Sequence, residues 1–209
     1  LKGEEIHRSS EEIIGKLIVA AYRSTTFMSN IELSKNNILI VGDRHSVIEY
    51  AVNSSVKLII LTGDSYIKEE HVEIAKKNNV NKLIYNGCNK KSNKEIIKLI
   101  NKYDSVYGAV GYHPTELDDV NEKDYELLES LLSNKKIVAI GEIGLDYHYP
   151  DTNKEKQKYA FRRQLELAEK HNIPVIVHSR DAIQDTFDIM SEYNIKGVIH
   201  CFSGSVEMA

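Results

Sequence analysis

Val138-Ala139-Ile140-Gly141-Glu142-Ile143-Gly144-Leu145-Asp146-Tyr147-His148 opens as an apolar run with β-branched residues, then breaks into carboxylates, glycines and a histidine. A buried parallel strand reads this way when its C-terminal end opens into a site. Two later segments repeat the form. Pro174-Val175-Ile176-Val177 runs into His178-Ser179-Arg180-Asp181, and Gly197-Val198-Ile199 runs into His200-Cys201-Phe202-Ser203-Gly204. Three apolar strands each deliver a metal-capable side chain at the same end, and α/β sheets and barrels build their sites at that end.

The pattern extends outward in both directions. Strands are expected at 38–41, 58–61, 82–85, 106–110, 137–141, 174–177 and 197–199. Helices are expected between them at 46–53, 67–78, 94–102, 124–132, 154–171 and 181–193. Residues 11–21 read as a helix or as the lead into a strand. Strand and helix alternating in this way is the grammar of a parallel α/β sheet. No long Gly/Ser/Pro linker interrupts it, and a boundary, if present, falls within Asn78-Asn79-Val80-Asn81.

Composition narrows the classes. With 209 residues, 42% of them hydrophobic and 28% charged, the chain can bury a core. Its net charge of −4 excludes a global basic field, so phosphate binding has to be local or metal-mediated. Cys88 and Cys201 lie far apart and suggest no disulfide framework, which points to a reducing, cytoplasmic setting. No apolar run approaches a membrane span, so no membrane partner is expected. The chain begins with Leu1 and ends directly after a dense motif, and both ends read as cut.

Glu142, His178 and His200 combine a carboxylate with imidazoles, a donor set suited to Zn²⁺, Mn²⁺ or a related divalent ion rather than Ca²⁺. Such an ion acidifies a bound water and clamps a phosphoryl oxygen, so hydrolysis of a phosphate ester is the natural chemistry. A single strand-end histidine is more often a hydrogen-bonded structural residue. Three donors at equivalent ends are not selected by surface chance. His113, which precedes Pro114, fits the pattern less well. His148 reads either as a partner of a ligand or as a solvated loop residue. His7, His45, His71 and His171 sit in polar or helical contexts and read as solvated, and Lys90-Lys91 reads as a solvated face.

Residues about 82–209 resemble the TatD family of metal-dependent deoxyribonucleases. The resemblance is carried by Val110-Gly111-Tyr112-His113-Pro114, Ile140-Gly141-Glu142-Ile143-Gly144-Leu145-Asp146-Tyr147, the Phe161, Gln164, Leu165 and Ala168 helix, Pro174 to Arg180, and His200-Cys201-Phe202-Ser203-Gly204. It implies a TIM-like barrel and a divalent metal cofactor, Mg, Mn or Zn. It implies Glu142 as catalytic, metal-bridging carboxylate and His178 and His200 as ligands. His113 and Arg180 would face the substrate, DNA, at its phosphates. The family's opening strand ends in His-x-His, a pattern found nowhere in this sequence. Its late Glu-Thr-Asp segment would follow Ala209. At most one weakly held ion and little turnover are therefore expected.

Residues about 10–80 resemble a DRTGG domain, as it accompanies CBS pairs in regulated manganese-dependent inorganic pyrophosphatases. The match rests on Glu12 to Leu17, Ile38-Leu39-Ile40-Val41-Gly42-Asp43-Arg44 and Leu58-Ile59-Ile60-Leu61-Thr62-Gly63. It implies a small regulatory module that could take an adenine nucleotide, which leaves a non-catalytic, nucleotide-responsive role open as the alternative. The expected fold class is thus α/β: a partial TIM-like (β/α) barrel of metal-dependent hydrolase type with five strands evident over 81–209, preceded by a small α/β DRTGG-like domain over 1–80. The join preserves the alternation, so the strands at 38–41 and 58–61 are expected to pair beside Leu83–Tyr85 and cover an edge that would otherwise be exposed.

Overall fold

A computed structural model describes residues 16–19, 24–41, 45–61, 69–80 and 82–200. The Gly42-Asp43-Arg44, Thr62-Gly63 and Cys201–Gly204 stretches lie outside the described residues.

Among the described residues eight strands form one sheet in chain order. They are β1 (Lys16–Val19), β2 (Asn37–Val41), β3 (Leu58–Leu61), β4 (Leu83–Asn86), β5 (Val106–Val110), β6 (Ile137–Asp146), β7 (Val175–Arg180) and β8 (Gly197–His200). Every neighbouring pair is parallel. The carboxyl ends of all eight strands therefore share one edge. Helices connect successive strands: α1 (Ser24–Asn30), α2 (His45–Asn53), α3 (Glu69–Lys77), α4 (Lys90–Lys102), α5 (Glu122–Leu131), α6 (Lys154–His171) and α7 (Ile183–Met190).

The expected pairing across the join is present. Ile59, Ile60 and Leu61 of β3 lie opposite Leu83, Ile84 and Tyr85 of β4. The strands that resemble two different families are thus neighbours in one sheet. Residues 11–21, open between helix and strand, contribute β1. The sequence pattern does not show α1, because Ser-Thr-Thr-Phe-Met-Ser-Asn has too few apolar residues to display a helical period.

Two layers of side chains make the core. The outer faces of the strands meet the helices in a large cluster that includes Leu39, Ile59, Ile96, Val110, Ile140, Phe161 and Leu165. The inner faces form a second, smaller cluster of Ile40, Leu58, Ile60, Ala109, Ala139 and Ile176. Those six are buried although helix residues are not part of their cluster. They must cover one another, which requires the sheet to curl. The backbone shows the same curl directly. Glu142 N, on β6, donates to Gly87 O just past β4 at 2.6 Å, whereas a flat sheet would hold strands two places apart at about 9.6 Å. Among the described residues no pairing joins β8 back to β1, so the curl is a nearly closed barrel.

Three elements depart from the sequence pattern for identifiable reasons. β6 does not stop at Gly141 but runs on to Asp146, because β7 pairs with it as far as Asp146 opposite Arg180. α4 starts at Lys90 rather than Lys94. Asn89 caps it, accepting from Ser92 N, while the Ser92 side chain accepts from Asn89 N. Lys90 is no plain solvated lysine, since its Nζ donates to Asp119 O at 2.6 Å and pairs with Asp124 at 3.1 Å. α7 is shorter than 181–193, starting at Ile183 after Asp181 takes a positive φ of 52°.

Because β3 covers the edge of β4, a chain beginning at Lys82 should lose cooperative folding. Far-UV circular dichroism during urea titration and size-exclusion chromatography check this. A monodisperse 82–209 chain with a sharp transition would show that the two parts fold separately.

Candidate metal centre

The site lies at the shared carboxyl edge, and a β-bulge creates it. Gly141 lies opposite Ile176 and Ile143 opposite Val177, so Glu142 is an extra residue with no partner of its own in the ladder. A bulge re-aims one side chain relative to its neighbours. Here it buries the Glu142 carboxylate, which is 1% exposed.

Imidazoles surround that carboxylate. His178 and His200 lie opposite one another across β7 and β8. His200 Nδ1 is 2.9 Å from Glu142 Oε1, and His178 Nδ1 is 3.4 Å from the same oxygen. His113 follows β5, and its ring centroid is 4.4 Å from that of His178. Ligand atoms of His113, Glu142 and His178 all fall within 4.8 Å of one another. Burial pushes the Glu142 carboxyl up. The hydrogen bonds of His178 and His200, with the charges of His200 and His113, outweigh that and hold it well below the usual carboxylate range.

Two of the imidazoles, His178 and His113, are held from behind. His178 Nε2 is 3.0 Å from Asp146 Oδ2, and Asp146 is itself buried at the end of β6. This leaves Nδ1 as the nitrogen turned to Glu142. Thr115 takes His113 Nδ1, with its Oγ1 at 2.8 Å and its backbone N at 3.3 Å. A carboxylate or hydroxyl behind an imidazole orients it and selects its tautomer.

The strand ends are themselves braced by carboxamides from the helices. Asn93 of α4 brackets Gly111, accepting from its N at 3.2 Å and donating to its O at 3.0 Å. Gln164 of α6 does the same for Tyr112, at 2.7 and 3.1 Å. Gln157 of α6 brackets Asp146, at 2.8 and 3.0 Å. All three amides are buried.

Of the residues singled out in the sequence, Glu142, His178, His200 and His113 come together. Arg180 does not join them. It is exposed, and its guanidinium lies 5.9 Å from the centre of the Tyr149 ring. His148 is half exposed and pairs with Asp181 at 3.0 Å. His171, read as solvated, instead meets Glu129 at 2.7 Å between α6 and α5. Sequence reading did not single out Asp146 and Asn86. Asn86 ends β4 fully buried, with Nδ2 3.5 Å from Glu142 Oε2 and with Oδ1 lacking a hydrogen-bond partner among the described residues. The available signal was a polar residue at the end of an apolar strand, as at Glu142.

These residues fit a divalent cation. A carboxylate held ionised in a buried pocket, imidazole nitrogens converging on it and a stranded amide oxygen beside it are what a hard-to-borderline ion requires. A curled parallel sheet carrying such a cluster at its carboxyl edge has the form of a metal-dependent hydrolase. The chain belongs to the TatD family, whose model, described as TatD related DNase, matches residues 51–209. The DRTGG domain model matches residues 1–86. The two matches share residues 51–86, from α2 through β4.

An uncharacterized metal-dependent hydrolase, YabD of Bacillus subtilis, is 39% identical over 144 residues, which is 68% of this chain and 56% of that protein. The 3'-5' ssDNA/RNA exonuclease TatD of Shigella flexneri is 31% identical over 152 residues, 70% of this chain and 58% of that one. The crystal structure of the TatD homolog YjjV from Escherichia coli K12 superposes with a TM-score of 0.58 at 32% identity, covering 63% of this chain and 52% of its own. The chain thus spans little more than half the length of the curated relatives it matches.

Gly144 holds the strand crossing that places His178. Its φ is +135°, and an added Cβ would run into the His178 carbonyl. Gly144→Ala should lower stability by about 1–3 kcal/mol from backbone strain alone, with the clash adding to it. Urea unfolding of the metal-free chain reads this, and a change within experimental error would remove Gly144 from the account.

Proposed function

We propose that the chain binds one divalent ion, Mg, Mn or Zn, at Glu142, His178 and His200 with His113 as a further ligand, and acts as a hydrolase on phosphodiester bonds of DNA. The observation that carries this reading is the buried Glu142 carboxylate, shared by His178 and His200 and adjoined by His113. The acidic chain offers no diffuse basic surface for a polyanion, so recognition of phosphate falls to the ion and to local cations. Arg180, beside the exposed Tyr149 ring, is the side chain proposed to meet the substrate backbone. The exonuclease relative from Shigella flexneri, named for single-stranded DNA and RNA, supports a nucleic-acid substrate.

When bound, the ion would polarise a phosphoryl oxygen and acidify a water. The protein's own residues do the rest. Glu142 stays ionised in a pocket where an unpaired carboxylate would take up a proton. Asp146 keeps the His178 proton on Nε2 and presents Nδ1 to the ion. Thr115 orients the His113 ring through contacts to Nδ1. Turnover is proposed to be slow, because the sequence has no His-x-His pair to complete a two-ion site.

The nucleotide-responsive alternative rests on the DRTGG-like part, whose Asp43-Arg44 and Thr62-Gly63 lie outside the described residues. No described helix is long and apolar enough to cross a membrane, and Cys88 is buried with its Sγ 3.6 Å from Ser92 Oγ.

Calorimetric titration with Mn²⁺ or Zn²⁺ should give about one site per chain, and Glu142→Gln should weaken it at least ~10-fold, the lower bound for disturbing even an outer partner of a ligand. Cleavage of end-labelled single-stranded DNA should depend on the added metal and vanish in the same variant. Wild-type chain that takes up neither ion would overturn the reading.

A further inference from the structure

Asn86 poses a problem that packing does not solve. It is 0% exposed, at the carboxyl end of β4, among apolar strand ends. Its Nδ2 makes a long contact of 3.5 Å to Glu142 Oε2, while Oδ1 has no hydrogen-bond partner among the described residues. A buried acceptor without a donor is costly, and a leucine of similar size would avoid the cost. Space is nevertheless kept for it. A Cβ at Gly141 would meet Ile176 Cβ at 2.7 Å and Asn86 Oδ1 at 3.0 Å, so the glycine leaves room for the strand neighbour and for either end of the amide.

The direction of the amide follows from the chemistry around it. Without a cation, two acceptors facing each other would repel, so the amide turns its N–H groups to Glu142 and strands its oxygen. A cation between the two reverses the preference. Oxygens bound to one Mn²⁺- or Mg²⁺-sized ion at about 2.1 Å in adjacent octahedral positions lie roughly 3 Å apart. The observed 3.5 Å between Asn86 Nδ2 and Glu142 Oε2 is close to that bite, and an amide turned about Cβ–Cγ places its oxygen where Nδ2 now sits. The two amide ends are nearly the same size, so the turn needs no repacking.

We propose that Asn86 Oδ1 is an oxygen ligand of the ion held by Glu142, contributed from β4 and therefore from the side of the sheet where the family's His-x-His pair is missing. This rests on the proposed metal site. It makes the donor set richer in hard oxygen, so the site should favour Mn²⁺ relative to Zn²⁺ more than imidazoles and one carboxylate alone would.

Two variants of the full chain, Asn86→Asp and Asn86→Leu, test it by Mn²⁺ titration calorimetry and by melting temperature with and without metal. Asp supplies an oxygen but sets two buried carboxylates side by side. The metal-free Asp variant should therefore melt lower than wild type, bind Mn²⁺ at least as tightly, and recover its melting temperature when Mn²⁺ is added. Leu supplies no oxygen. The Leu variant should melt no lower than wild type without metal, yet bind Mn²⁺ at least tenfold more weakly, with a smaller loss for Zn²⁺. Equal weakening in both variants would mean that the amide serves only as a donor to Glu142, and would overturn the inference. So would Mn²⁺ binding that Glu142→Gln abolishes and that both Asn86 variants leave unchanged; this result would leave the metal site itself standing. Absence of Mn²⁺ binding by the wild-type chain would overturn the inference together with the reading beneath it.

Discussion

A carboxylate that is 1% exposed cannot be left alone. Removing an ionised group from water costs several kcal/mol even after relaxation, and the structure around Glu142 is organised to offset that cost. His200 Nδ1 hydrogen-bonds one of its oxygens at 2.9 Å, and His178 Nδ1 lies 3.4 Å from the same oxygen. The bulge in β6 turns the side chain inward, and Gly87 O receives the backbone N that the bulge would otherwise strand. Asp146 then fixes His178, and Gln157 fixes Asp146. Each of these requirements follows from the one before it, and each falls on the carboxyl edge of the sheet.

That edge is continuous across a junction of two sequence types. The DRTGG match ends at residue 86 and the TatD match begins at residue 51, so the shared stretch spans the last turn of α2, β3, α3 and β4. A parallel strand carries no information about which ancestry its neighbour comes from. It requires only a ladder in register, an apolar outer face for the helices and a small apolar inner face. Leu58-Ile59-Ile60-Leu61 meets all of these, with Ile59 and Leu61 in the outer cluster and Leu58 and Ile60 in the inner one. Strand, helix, strand in the same hand of connection then makes one curled sheet from both.

Much of this was legible in the residues, for a physical reason. Fully buried parallel strands are short apolar runs, and their site ends are abrupt, so β2 through β8 and the donors Glu142, His178 and His200 stand out locally. What was not legible depends on long-range partners. Asn86 and Glu142 lie 56 residues apart, and His178 and Asp146 lie 32 apart; neither pair leaves a periodic trace. The length of β6 was hidden because glycines and carboxylates normally end a strand, whereas here β7 keeps pairing with it. The start of α4 was hidden because two lysines suggest a solvated face, although Asn89 and Ser92 form a capping box. Arg180 lies two residues beyond His178 at the very end of β7, where its side chain is exposed beside Tyr149 rather than among the imidazoles.

The bracketing amides of Asn93, Gln164 and Gln157 divide labour in the molecule. A carboxamide offers a donor and an acceptor in the spacing of a peptide group, so each takes up a backbone N–H and C=O of Gly111, Tyr112 or Asp146 as a further strand would. It also has no proton to gain or lose over the range in which imidazoles and carboxylates titrate. The frame is therefore indifferent to acidity while the cluster it frames is not. An ion held there as proposed would be lost when its ligands take up protons in acid, and could return to a scaffold that the amides have kept standing.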